Sequence, residues 1–323
     1  MSPVPARTAH DISSRALAWL HANREYGALS SLPRADLTHD DQSYKAVAET
    51  SLAASLVLRD GVAGTTELTL ARELLDFGWE QLGDGALLYE RLLRHPLKTD
   101  PLETYAHFAR SGYRHELLEG LLAHTVTLRA THASELHPNR RLAVANAARI
   151  SGYDHGAGAS DWASLTRATW LGSLPEPWHI DWLTGYAVTH TVFHLTDWGR
   201  MPAGLPADIV GYLDRWLPMW TDIWAEASQW DLMAELMIVG SCLPEPFAEA
   251  EDWQRLAELQ HADGMVPHDD APVDDDPAQR FEDHQHTTIV AVVAGTLALG
   301  RTLGDNLSQD GGHVPDDPGQ SVG

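Results

Sequence analysis

Tyr186-Ala-Val-Thr-His190-Thr-Val-Phe-His194-Leu-Thr-Asp197-Trp198-Gly199 reads as the C-terminal half of a helix that stops near its glycine. In a helix, positions i, i+4 and i+7 share a face, so His190, His194 and Asp197 form one ridge. Two imidazoles one turn apart are a common helical metal grip. At a rise of ~1.5 Å per residue, the ridge is about 10 Å long, too long for one ion to engage all three groups. A metal would use His190 with His194, or His194 with Asp197, and take its remaining ligand from another part of the chain.

The helical period recurs over 12–26, 40–59, 66–82, 115–132, 140–150, 160–171, 181–198, 207–229, 230–239, 247–260 and 287–303. Asp100-Pro-Leu-Glu103 is a helix start, with Asp as cap, Pro at the first position and Glu in the first turn. No run alternates apolar and polar residues for long enough to predict a strand. The expected fold class is all-α, with roughly twelve helices on short loops. Helical hairpins of this kind stack as an α-solenoid or close into an α/α toroid, complete or incomplete. The absence of an internal repeat favours the toroid, which sets helix ends around a central cavity. Residues 1–303 are read as a single domain and the Gly/Asp/Pro-rich 304–323 as a disordered tail. The acidic stretch 263–283 is read as irregular: a mobile lid, a divalent-cation loop built from its carboxylates, or a solvated loop.

The chain has 323 residues and a net charge of −24, which argues against nucleic acid and anionic membranes as partners. A lone cysteine, Cys242, excludes an intrachain disulfide and a thiolate zinc site. The N-terminus lacks a secretory pattern, and the apolar run 289–299 is too short to span a bilayer, so a cytoplasmic protein is expected. Basic residues are almost all Arg, with Lys only at 45 and 98, and Ala is abundant; this is the coding bias of a high-GC bacterium.

A second histidine cluster, Glu282-Asp-His284-Gln-His286-Thr-Thr288, opens the apolar run and is expected at a helix N-terminus. His190, His194 and His286 are then the candidate ligands of a divalent or transition metal ion, Zn, Fe, Cu or Mn. Asp197, His284 and Lys45 are candidate catalytic residues; Lys45 stands one turn before Glu49. Trp178, Trp182 and Tyr186 are candidate substrate-pocket residues, whereas the Trp216, Trp220, Trp224 stripe reads as core packing. No Gly-rich phosphate loop, Gly-x-Ser-x-Gly elbow or His-Glu-x-x-His motif is present. Three functions fit. The first is a metal-dependent enzyme of bacterial small-molecule metabolism or biosynthesis that activates water, dioxygen or substrate. The second is a metal-free cyclase or lyase using His190 and His286 as acid and base. The third is a non-catalytic helical binding scaffold. A small molecule is the expected partner of the first two.

Tyr44-Lys45, Thr189-His190 through Phe193, Leu195-Thr-Asp-Trp-Gly199 and His286-Thr287-Thr288 together resemble an uncharacterised actinobacterial all-helical protein family. That family carries Leu-Thr-His, then Phe, then Leu-Thr-Asp-Phe-Gly, and a later His-Thr or His-Pro pair. Val188 and Trp198 depart from its pattern. The resemblance implies His190, Asp197 and His286 as the shared polar set, sets His194 apart, and brings no reaction with it.

Overall fold

Residues 6–29, 41–156 and 159–310 are described in the computed structural model, and among them every regular element is helical. The α-helices are α1 (Ala6–Asn23), α2 (Asp41–Asp60), α3 (Thr65–Gln81), α4 (Ala86–Arg94), α5 (Asp100–Arg110), α6 (Glu116–Thr125) and α7 (Arg129–Ala133). They continue as α8 (Pro138–Ile150), α9 (Trp162–Arg167), α10 (Trp182–Thr196), α11 (Ala207–Glu226), α12 (Trp230–Cys242), α13 (Ala250–Leu259) and α14 (Pro277–Asp310). The all-α class read from the sequence holds.

Local chemistry sets the boundaries. Pro lies in the first turn of α5 and α8, where its missing N–H costs nothing. A reciprocal capping box between Asp181 and Thr184 starts α10. That helix ends where Asp197, Trp198 and Gly199 take successive positive φ values of 47°, 53° and 73°. Two expectations need correction. Helix α14 starts at Pro277, well before Thr287, because the Asp276 carboxylate accepts from Ala278 N at 3.1 Å and Pro277 opens the first turn. The irregular acidic segment is correspondingly shorter than 263–283, and His286 lies inside a helix instead of at its start. The same helix runs on to Asp310, into the expected disordered tail; 311–323 lie outside the described residues. By length and composition α14 could cross a membrane, yet 72% of its apolar window is buried against the other helices.

Six helices position everything that follows. In the order α2, α5, α8, α10, α12, α14, each packs on the next, and α14 packs back on α2. They also run in one direction. In their N-terminal halves, Tyr44 of α2 bonds Thr104 of α5, Glu103 of α5 pairs with Arg140 of α8, and Asn139 of α8 donates to the Ala187 carbonyl of α10. Near their C-terminal ends, Gly199 lies against Cys242, and Gly300 against Asp60. The remaining helices pack outside: α3 on α2, α9 on α8, α11 on α12, and α1 on α14. The last contact is so close that a Cβ on Gly295 would lie 2.4 Å from the Ala9 carbonyl oxygen.

Parallel helices gather the negative ends of their dipoles at one side, which is unfavourable unless cations answer them. Four arginines do so. Arg59 donates to the Asp197 and Trp198 carbonyls at 2.8 and 2.9 Å. Arg149 donates to the His194 carbonyl at 2.8 Å, and Arg301 to those of Leu243 and Pro244 at 3.1 and 2.9 Å. Arg110 makes an ion pair with the Asp197 carboxylate, both side chains almost wholly buried. Removing one partner of such a pair leaves a buried charge unanswered. Asp197→Ala should therefore lower unfolding stability by about 3–5 kcal/mol, read by urea denaturation. An unchanged midpoint would show that this end of the bundle does not depend on the pair.

Candidate functional site

Away from that end, α2, α10, α12 and α14 bring two imidazoles and two carboxylates together. Nδ1 of His286 lies 2.9 Å from Oε2 of Glu49, and its Nε2 is 3.8 Å from Oε1 of Glu235. The Nε2 of His190 is also 3.8 Å from that same Glu235 oxygen. Thr189 donates to the other Glu235 oxygen at 2.5 Å. Lys45 reaches Glu49 at 3.6 Å. One turn before Glu235, Asp231 accepts from the Tyr186 hydroxyl, and Nδ1 of His268 stands 4.0 Å from its second oxygen. Helices α10 and α12 approach closely at Gly185, where a Cβ would fall 2.8 Å from the end of the Leu232 side chain and force it to move.

Burial opposes charge on His286, but the Glu49 and Glu235 carboxylates outweigh it and hold its pKa up at about 9. Burial also works against the Glu49 carboxylate, and there the attraction of His286 and Lys45 wins and lowers its pKa. Glu235 is pushed up by burial, only partly offset by the two histidines. Burial first, and the Asp231 charge second, raise the Tyr186 phenol far above its usual range, so it remains a hydrogen-bond donor.

The cluster is open to solvent, with the His190 side chain 44% exposed. From it an aromatic row climbs α10 to the surface: Tyr186 is 6.1 Å from His190 between centroids, and Trp182 is 5.0 Å from Tyr186, edge to face. Trp182 is half exposed, and Trp178, at 72%, more so. The loop carrying Trp178 is fastened from behind by α11: Tyr212 donates to the Pro175 carbonyl at 2.6 Å and Trp220 to that of Pro177 at 3.1 Å. Trp220 is itself buried, as core packing of its stripe requires.

The structure thus brings together His190, His286 and Lys45, with Tyr186 and Trp182 beside them and Trp178 exposed nearby. Three other expected residues lie elsewhere. His194 is one turn below His190, its centroid 6.2 Å away. Burial, followed by His190, Arg140, His107 and Arg149, drives its pKa far down, so it stays neutral. Asp197 is at the arginine-bound end of the bundle. His284 is buried, and its Nδ1 accepts from the His268 backbone N–H at 3.1 Å, which ties the preceding loop to α14. Among the described residues no three His, Cys, Asp or Glu side chains are placed to hold one metal ion, so the expected His190, His194, His286 ligand set is not assembled.

Glu235, Asp231 and His268 escaped the sequence reading, and Glu49 entered it only as the partner of Lys45. A signal was present for two of them. All thirteen residues of α12 are buried, and its only charged residues are carboxylates at i and i+4. Carboxylates in such a helix are rare without a partner or a function.

Imidazole NMR of His286 should titrate with a midpoint of about 9, and Glu49→Gln should bring it down toward the ordinary value of about 6.5. Because the folded-state value is the higher one, the contribution of His286 to stability is complete below pH ~6.5 and is lost as pH rises through the folded midpoint. A midpoint that Glu49→Gln leaves in place would show that the carboxylate does not hold the charge.

The family model described as Domain of unknown function (DUF6895) matches residues 13–296. No curated protein and no solved structure matches the chain. Since that match runs from α1 into α14 and takes in every helix bearing the cluster, the chain belongs to the DUF6895 family.

Proposed function

We propose that α2, α5, α8, α10, α12 and α14 form the inner wall of an α/α toroid. The cluster at its open end is the acid–base centre of an enzyme that acts on a small molecule. The carrying observation is that two imidazole Nε2 atoms on different helices face one carboxylate oxygen, each at 3.8 Å and each unbonded to it. That distance is beyond hydrogen-bond range, so both ring nitrogens remain available to a bound substrate.

The roles follow from the surroundings. In its cationic form His286 gives one proton to the bond with Glu49 and keeps the Nε2 proton for a substrate atom that becomes negative. His190 takes a proton through its Nε2. The substrate gains one proton and loses one, as in a lyase, cyclase or isomerase, and Glu235, between the two rings, passes the proton back to reset them. Tyr186 and Thr189 hold Asp231 and Glu235 in place, and the Trp182 and Tyr186 rings supply an apolar wall.

The test is turnover of a bacterial metabolite extract, followed by mass spectrometry, beside elemental analysis of untagged protein purified without chelator. The expected result is a component consumed by the wild type in the presence of EDTA and left intact by His190→Gln and His286→Gln. Its rate should fall as pH rises through about 9, where His286 loses its proton. A stoichiometric metal with chelator-sensitive turnover, or full activity in either histidine variant, would overturn the proposal.

A further inference from the structure

Asp231 is the least compensated charge in the cluster. Glu49 is answered by His286 and Lys45, and Glu235 by Thr189 and the two histidines. Asp231 is only 2% exposed, yet one of its two carboxylate oxygens has no hydrogen bond among the described residues. The other is taken by the Tyr186 hydroxyl. His268 stands 4.0 Å from the free oxygen, too far to bond it. A buried carboxylate oxygen left without a donor is costly, and a site that retains one is shaped for a donor that arrives from outside.

The surroundings specify that donor. Tyr186 connects Asp231 to Trp182, and the two rings meet edge to face at 5.0 Å, with Trp182 half exposed. A carboxylate beside aromatic faces is the usual surrounding of an organic ammonium ion, since ring faces attract cations as well as apolar groups. The whole chain, at −24, draws cations toward it.

We propose that the substrate is a primary or secondary amine, bound as its ammonium ion to Asp231, with its apolar portion against Trp182 and Tyr186. The inference rests on the acid–base reading for what happens next: the carbon atoms beyond the nitrogen are then presented to His190 and His286.

Calorimetric titration of the full chain with benzylammonium, benzyl alcohol and phenylacetate tests it. The ammonium should bind about tenfold or more tightly than the alcohol, as expected for a charge-assisted bond, and the carboxylate should not bind measurably. Asp231→Asn should abolish the preference for the ammonium, and Trp182→Ala, at an exposed position that folding tolerates, should weaken it severalfold. His190→Gln should leave ammonium affinity unchanged, so that lost turnover with retained binding separates failure of the acid–base reading from failure of this one. Equal affinity for ammonium and alcohol in the wild type, or unaltered preference in both Asp231→Asn and Trp182→Ala, would overturn the proposal.

Discussion

The buried Arg110–Asp197 ion pair, with the arginines around it, is the constraint on which the rest of the structure depends. Six helices running in one direction bring like dipole ends together, and the unsatisfied carbonyls of their last turns would collect in one place. Arg59, Arg149 and Arg301 bond those carbonyls directly. Arg110 is held by Asp197, whose own backbone forms the left-handed cap of α10. One residue thus ends a helix and balances a buried cation. The guanidinium groups close this end, while the histidine–carboxylate cluster toward the other end is open to solvent at His190.

The two ends are built from different groups. At the C-terminal end, guanidinium groups bond backbone carbonyls and one carboxylate, although Arg110 Nη1, Arg149 Nε and Arg301 Nε are buried without a hydrogen bond among the described residues. At the N-terminal end, several groups face each other just beyond bonding distance, and one carboxylate oxygen has no donor. Burying Asp231 and Glu235 on a helix with no exposed face costs stability, which fully paired groups would recover and these only partly do. A histidine held strongly charged by two carboxylates is the kind of perturbed group that clusters at functional sites. The outer helices contribute by holding the inner ones close, as at Gly295 against Ala9, and by fastening the Trp178 loop through Trp220.

Much was legible without coordinates. Periodicity, caps and the lack of alternation determined the all-α class and most helix positions, because these depend on neighbours within a few residues. The short helix α4 was missed, and the start of α14 was placed too late because the long apolar run drew attention from the Asp276-Pro277 cap that precedes it. His190 and His286 stood out as members of two separate histidine clusters, and the structure sets both against Glu235. The i, i+4, i+7 ridge was also sound as local geometry.

What the ridge could not convey is what each of its members meets. His190 faces carboxylates, His194 faces arginines and another histidine, and Asp197 meets a guanidinium, although all three project from one helix. Those partners come from α2, α5, α8, α12 and α14, 87 residues away for the Arg110–Asp197 pair. The sequence by itself determined that this chain folds as helices, and where most of them begin and end, since hydrogen bonds within a helix join residues four apart. Only the tertiary structure decided which histidines share a site and which carboxylates are paired with a cation, because burial and charge pairing are set by helices that are neighbours in space and not in the chain.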